Sequence, residues 1–99
     1  MILRIKQKYL DQLIAGTKKI EYRSFSDFYI SRFCEVKGDE ITDVKDIKEI
    51  TFVAGYRKDS PKATFETEIF ITEYLHEIPE GLQKGDMLFE IEIGKRLLG

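Results

Sequence analysis

The chain has 99 residues, of which 42% are hydrophobic and 34% are charged, and its formal net charge is −2. This length fits a single domain, which we predict to span residues 1–99. The weak negative charge argues against a protein that coats nucleic acid without selectivity. No apolar run approaches the ~20 residues of a membrane-spanning helix, so we expect no membrane association.

Two further features predict a cytoplasmic protein. Arg4 and Lys6 stand where a signal peptide has its apolar stretch, so export is not expected. The lone Cys34 has no partner for a disulfide within the chain, which fits a reducing compartment.

The first quarter of the chain predicts a strand, a helix and a second strand. Residues 2–6 read as a short strand, and apolar side chains then recur at helical spacing from about residue 7 to 15. Gly16 follows, at the position where a helix favours a left-handed closing residue. Residues 18–23 alternate between apolar and polar side chains, which predicts a half-buried strand with one polar face.

The next segment is less regular. Residues 24–36 are ambiguous, although their aromatic residues fall near helical spacing and Ser26 with Asp27 is suited to cap a short helix. Residues 35–48 are acidic and are predicted to form a surface loop with a bend.

The second half predicts a hairpin and a last strand. Residues 50–56 and 64–71 have strand patterns separated by turn residues, which indicates an antiparallel pair. A loop at 77–81 and a Gly85-Asp86 turn precede a strand over 87–93. We therefore expect an α+β fold with one or two short helices and about five or six strands, mostly antiparallel, twisted and curled toward a barrel.

Metal and cofactor motifs are not found in the sequence. It has no glycine-rich phosphate loop, no HExxH and no paired CxxC, and one histidine with one cysteine nearly excludes a metal site built from nitrogen and sulfur ligands. We expect neither a metal nor a cofactor. His76 is expected in a loop without a catalytic role, and Cys34 is expected to be a buried apolar side chain rather than a nucleophile.

The segment from Gly16 to Arg23 holds the most informative residues. On a strand Glu21 and Arg23 point the same way, so they can form an ion pair or face one cleft together. Lys18 has the opposite parity, but it lies beside the Gly16 turn, where parity need not hold. Arg23 offers a planar fork to phosphate or a base edge, and Glu21 accepts hydrogen bonds from exocyclic amines or amides. The alternative is an exposed strand face with an ion pair worth about 0–1 kcal/mol.

The segment from Gly16 to Arg23 lies in the part of the chain that carries an excess of basic residues. Residues 1–32 carry seven Lys and Arg against three Asp and Glu, whereas residues 33–99 carry nine against fifteen. Lys6 and Lys8 stand where the first helix begins, and its positive end disfavours cations unless an anion binds there. Two solvated lysines are the alternative interpretation.

The stretch from Ile5 to Arg23 resembles the opening of ASCH domains, which are members of the PUA-like superfamily. The motif G-x-K-x-x-E-x-R is met by Gly16, Lys18, Glu21 and Arg23. Weaker similarity continues through residues 52–56, Ser60-Pro61 and the turn at 85–86, and residues 24–48 are the least assignable. The resemblance implies a PUA-like β-barrel that binds RNA or its nucleosides in a cleft beside the motif.

One branch of that family hydrolyses the acetyl group of N4-acetylcytidine with a Lys, a Thr and a Glu. Lys18 matches its lysine, but Glu21 stands at the position of its threonine. Glu66 and Glu68 are candidates for its glutamate. Some relatives are reported as ribonucleases, but this chain has no histidine pair for acid–base cleavage.

Three functional hypotheses follow. The first is a module that binds RNA or a modified nucleoside or nucleotide through Lys18, Glu21 and Arg23, with Lys6 near a phosphate. In this hypothesis the rings of Tyr9, Tyr22 and Tyr56 are candidates for base stacking.

The second hypothesis is a metal-independent amidohydrolase of an N-acylated nucleoside, with Lys18 and Glu21 as catalytic residues. The third is a protein-interaction module that exposes its aromatic residues. Core packing is the favoured interpretation of those rings, because large exposed apolar patches are rare on monomers. They are Phe25, Phe28, Tyr29 and Phe33.

Overall fold

A computed structural model describes residues 1–73 and 87–97 of the chain. The elements in chain order are β1 (Ile2–Arg4), α1 (Gln7–Ala15), β2 (Ile20–Ser24), α2 (Asp27–Phe33), β3 (Cys34–Lys37), β4 (Glu40–Val44), β5 (Glu49–Val53), β6 (Lys62–Glu73) and β7 (Met87–Arg96). The predicted loop at 77–81, the Gly85-Asp86 turn and His76 lie outside the described residues. No helix among the described residues is long and apolar enough to cross a membrane.

The strands form a five-stranded sheet in the order β1-β5-β6-β7-β2 and a separate two-stranded sheet of β3 and β4. β1 pairs with β5 in parallel, and β5 pairs with β6 antiparallel, so the larger sheet is mixed. The α+β class, the two short helices and the hairpin of β5 and β6 are confirmed. The single domain over 1–99 stays a prediction.

The first helix ends as the sequence predicts. Gly16 has φ 79°, in the left-handed region. Its N–H donates to the Leu13 carbonyl over 3.2 Å, and the Thr17 N–H donates to the Gln12 carbonyl over 3.0 Å. This pair of bonds is the Schellman arrangement, which satisfies the last carbonyls of the helix. The Lys18 N–H also donates to the Gln12 carbonyl, so Lys18 belongs to this helix end and β2 begins only at Ile20.

The prediction of a loop over 35–48 is wrong, because β3 and β4 form an antiparallel hairpin there. Gly38 has φ 62° and occupies the first position of a two-residue turn between the paired residues Lys37 and Glu40. A positive φ at that position suits the turns that favour hairpins. The side chains from Glu35 to Asp43 are exposed on both faces of the hairpin, which explains why no apolar alternation marks the strands.

The chain contains two compact units, each with its own buried residues. The first unit consists of Met1–Ile20, Ile47–Glu68 and the segment that begins at Glu92. Its core includes Leu10 and Leu13 from one face of α1. Leu3, Phe52 and Ala63 lie in register on neighbouring strands and are no more than 3% exposed, so β1, β5 and β6 bury a common face.

The second unit consists of Glu21–Asp46 and Ile69–Ile91, as far as these are described. Its core is rich in aromatic rings. Phe33 and Phe89 are fully buried and meet edge to face with their centroids 5.0 Å apart. Phe25 packs against Phe89 at 5.2 Å. Such pairs stabilise a core by about 0.5–1.5 kcal/mol beyond the area they bury.

Candidate functional site

β2 places Glu21 and Arg23 side by side in the second unit. The Arg23 Nη2 and Glu21 Oε2 atoms are 2.9 Å apart, and the two side chains are 13% and 10% exposed. The prediction that these residues point the same way is therefore confirmed. The two side chains are mostly buried, whereas the alternative interpretation placed them on an exposed strand face. An ion pair taken out of water needs further polar contacts to offset the loss of hydration.

One such contact comes from α2. Arg23 Nη1 donates a hydrogen bond of 2.7 Å to the hydroxyl oxygen of Tyr29. The Arg23 Cζ atom also lies over that ring, 5.6 Å from its centroid. Tyr29 in turn stacks on the buried Phe33 with centroids 5.5 Å apart. The aromatic core of α2 thus positions the hydroxyl that holds Arg23.

These contacts fix the plane of the guanidinium. Nη2 bonds to Glu21 and Nη1 bonds to Tyr29, so both terminal nitrogens of Arg23 are anchored. A guanidinium held in one orientation presents its N–H groups as a rigid fork, which suits a phosphate or the edge of a base. Because the side chain is already ordered, little rotamer entropy is lost when a ligand binds.

Sequence reasoning did not assign Tyr29 to the site. It grouped Tyr29 with three phenylalanines at helical spacing. The ring of Tyr29 does pack against Phe33, but its hydroxyl bonds to Arg23. The available signal is chemical, because a phenol in an otherwise apolar cluster needs a hydrogen-bonding partner.

In the first unit, Lys18 and Tyr9 are in contact. Lys18 Nζ lies 5.1 Å from the centroid of the Tyr9 ring, and Lys8 Nζ lies 4.8 Å from the same centroid. Two ammonium groups therefore share one ring, which attracts each of them through its quadrupole. That Lys18 joins Glu21 and Arg23 around one cleft stays a prediction.

Lys6 is the N-cap residue of α1 and makes no side-chain cap hydrogen bond. A lysine side chain has no acceptor, so it cannot satisfy the N–H groups of the first turn. The first turn of α1 contains no acidic residue. The predicted placement of Lys6 at this helix end is confirmed.

Tyr56 lies between β5 and β6 and is 87% exposed. The Arg4 Cζ atom is 5.0 Å from the centroid of its ring. Tyr56 is thus a solvent-facing aromatic side chain flanked by a cation, in the same unit as Tyr9.

The carboxylates proposed for a hydrolase lie on β6. Glu66 and Glu68 are both exposed, and they line a small hollow with Glu92 and Gly94. No group of three His, Cys, Asp or Glu within residues 1–73 and 87–97 is placed to hold a metal ion.

The remaining sequence candidates are split between core and surface. Cys34 is buried, and burial raises the pKa of its thiol although the charge of Lys45 opposes the shift. Phe33 is fully buried, whereas Phe28 is 54% exposed with the Arg32 guanidinium 3.6 Å from its ring centroid. The expectation of core packing is confirmed for Phe33 and wrong for Phe28, because the residue preceding Tyr29 on α2 faces outward.

The chain was compared with protein-family models, curated proteins and solved structures, and it matches none of them.

Proposed function

We propose that this chain is a cytoplasmic PUA-like module that binds RNA or a nucleoside or nucleotide, with Arg23 as the central contact. The observation that carries the proposal is the anchoring of both terminal nitrogens of Arg23, by Glu21 and by Tyr29. The α+β class and the mixed sheet are compatible with a PUA-like fold, and the G-x-K-x-x-E-x-R motif supports the same family.

The site chemistry assigns a role to each side chain. Arg23 binds a phosphate or the acceptor atoms of a base, and Glu21 holds the guanidinium and accepts a hydrogen bond from an amine edge. Tyr29 is a positioning residue, because its hydroxyl bonds to Arg23. Lys18 and Tyr9 are proposed as further ligand contacts, since a cation beside an aromatic ring suits phosphate and base together.

The test is the substitution Arg23→Lys, which keeps the charge and removes the planar fork. We expect it to weaken binding of the preferred ligand by about tenfold or more, because a bidentate contact is lost. Calorimetric titration would use cytidine, N4-acetylcytidine, CMP and a short single-stranded RNA. Tyr29→Phe removes only the hydroxyl and is expected to give a smaller loss.

Arg32→Lys is the matched control, because Arg32 lies exposed on α2 and stacks on Phe28. It should leave the affinity unchanged. Equal affinities for Arg23→Lys and the wild type, with both proteins folded by circular dichroism, would contradict the role of Arg23. If no ligand of the panel binds, the proposed function is wrong.

A further inference from the structure

A pocket of about 460 Å³ lies in the first unit, on the sheet face of β1, β5 and β6 opposite the buried one. Side chains alternate between faces along a strand, so the neighbours of the buried Leu3, Phe52 and Ala63 point into this pocket. The strand residues that line it are Ile2, Arg4, Thr51, Val53, Lys62 and Thr64.

The lining of the pocket is basic. Arg4, Arg57, Lys58 and Lys62 contribute to it, and none of its lining residues within 1–73 and 87–97 is an aspartate or glutamate. All four side chains are exposed. The chain as a whole has a net charge of −2, so this concentration of positive charge is local. A concave surface lined by charges of one sign focuses the electrostatic potential and attracts ligands of the opposite sign.

The floor and one wall of the pocket carry hydroxyl groups. Thr51 and Thr64 are cross-strand partners, and their hydroxyl oxygens are 2.7 Å apart in a hydrogen bond. Ser60, on the wall, is buried, and its hydroxyl accepts a hydrogen bond of 2.9 Å from the Arg57 N–H. Hydroxyls complement cationic side chains around phosphate oxygens, because both donate hydrogen bonds.

The loop that carries Arg57 and Lys58 is stabilised by hydrogen bonds within it. The Ala54 N–H donates to the Pro61 carbonyl over 2.9 Å and closes the base of the loop. Gly55 has φ 127°, and an added Cβ there would lie 2.7 Å from the Ser60 hydroxyl oxygen. The wall of the pocket is therefore formed before a ligand arrives, which reduces the entropy lost on binding.

We propose that this pocket binds a phosphorylated small molecule of nucleotide size, a nucleoside diphosphate or a close relative. Its phosphates lie among Arg57, Lys58 and Lys62, and its aromatic base lies against the exposed ring of Tyr56, which Arg4 flanks. Pockets that hold small molecules have volumes of about 300–1,000 Å³. The lining contains none of Lys18, Glu21 and Arg23, so the inference does not depend on the function proposed for the motif.

The test is calorimetric titration of the full chain at low salt with ADP, pyrophosphate and adenosine. ADP is expected to bind at least about tenfold more tightly than adenosine, since the phosphates provide the charge-assisted bonds. Pyrophosphate is expected to compete with ADP. Arg57→Gln and Lys62→Gln should each weaken ADP by about tenfold, and Tyr56→Leu should weaken ADP but not pyrophosphate.

The matched control is Lys37→Gln, which removes one exposed charge on the β3–β4 hairpin and should change nothing. Failure of ADP to bind would overturn the proposal. So would unchanged affinity in an Arg57→Gln, Lys62→Gln double variant. If only single-stranded RNA bound, and its affinity increased with strand length, the ligand of the pocket would be an RNA strand rather than a small molecule. Loss of ADP binding in Arg23→Lys, with the pocket variants unaffected, would place the ligand at the motif instead.

Discussion

Cys34 lies at the junction of α2 and β3 with 3% of its surface exposed. Removal of the thiol from water raises its pKa above the ordinary value of 9.0, and the positive charge of Lys45 partly opposes this rise. The folded chain therefore retains a thiol proton at a pH where the unfolded chain has released it. Because the folded chain binds this proton more tightly than the unfolded chain, the free energy of unfolding falls as the pH rises through the alkaline range.

We predict a pH dependence that comes from this thiol. Its contribution to stability is fully present below pH 9.0 and is lost as the pH rises through the higher pKa of the folded state. Urea unfolding of the wild type and Cys34→Ala from pH 7 to pH 10.5 would measure the effect, because other titrating groups cancel in the difference. A difference between the two proteins that does not change with pH would contradict the prediction.

Individual residues of the site were predictable to different degrees. The Glu21–Arg23 pair follows from the two-residue period of a strand, and the structure brings both side chains together at 2.9 Å. The contact of Lys18 with the ring of Tyr9 was not predictable, because a helix cap rather than strand parity sets the position of Lys18.

Secondary structure was predicted best where one face of an element is buried. α1 shows this, because Leu10 and Leu13 are buried at helical spacing and Gly16 closes the helix. The β3–β4 hairpin shows the opposite case. Between Glu35 and Asp43 its apolar residues Val36 and Ile41 are 47% and 37% exposed, so this part of the hairpin has no buried face for an alternating pattern to mark.

The loop between β5 and β6 depends on a glycine, so we predict that Gly55→Ala is destabilising. A side chain at φ 127° is strained, and its Cβ would meet the Ser60 hydroxyl oxygen at 2.7 Å. The expected loss is about 2 kcal/mol or more in the free energy of unfolding, measured in urea. The same substitution should weaken phosphate binding, because the displaced Ser60 hydroxyl bonds to the Arg57 N–H.

Gly38→Ala is the matched control for that substitution. Gly38 also has a positive φ, 62°, but nothing lies within 4 Å of an added Cβ. Gly38→Ala should lower the free energy of unfolding by only the ~1–2 kcal/mol that an alanine costs in the left-handed region. Equal losses for the two variants would mean that contact with Ser60 adds no strain.

At the scale of the whole molecule, the sequence predicts local elements better than their assembly. The parallel pairing of β1 with β5 joins segments that are far apart in the chain, and no local pattern encodes it. This pairing brings Arg4 to the same pocket as Arg57 and Lys62. The sequence therefore identified Tyr56 as a candidate but not the cations that line this pocket.

Each of the two units has its own fully buried aromatic ring, which leads to a prediction about stability. Phe52 in the first unit and Phe33 in the second are both 0% exposed. Phe52→Ala and Phe33→Ala should each cost about 3–5 kcal/mol, a large share of the ~5–15 kcal/mol that stabilises a typical domain. Urea unfolding of both variants would measure these losses.

The surface residue Phe28, which is 54% exposed, provides the control. Phe28→Ala should cost less than Phe33→Ala, because more than half of the Phe28 surface is already in contact with water. A loss for Phe33→Ala no larger than that for Phe28→Ala would mean that the ring of Phe33 adds little to the core of its unit.

The exposure of Tyr56 also has a practical consequence. The chain has five tyrosines and no tryptophan, so its ultraviolet emission comes from phenol rings. A ring that is 87% exposed is open to a dissolved quencher such as acrylamide, whereas a base stacked on it would shield it. The protein thus carries a native optical reporter at the edge of its basic pocket, and occupancy can be followed without attaching a dye.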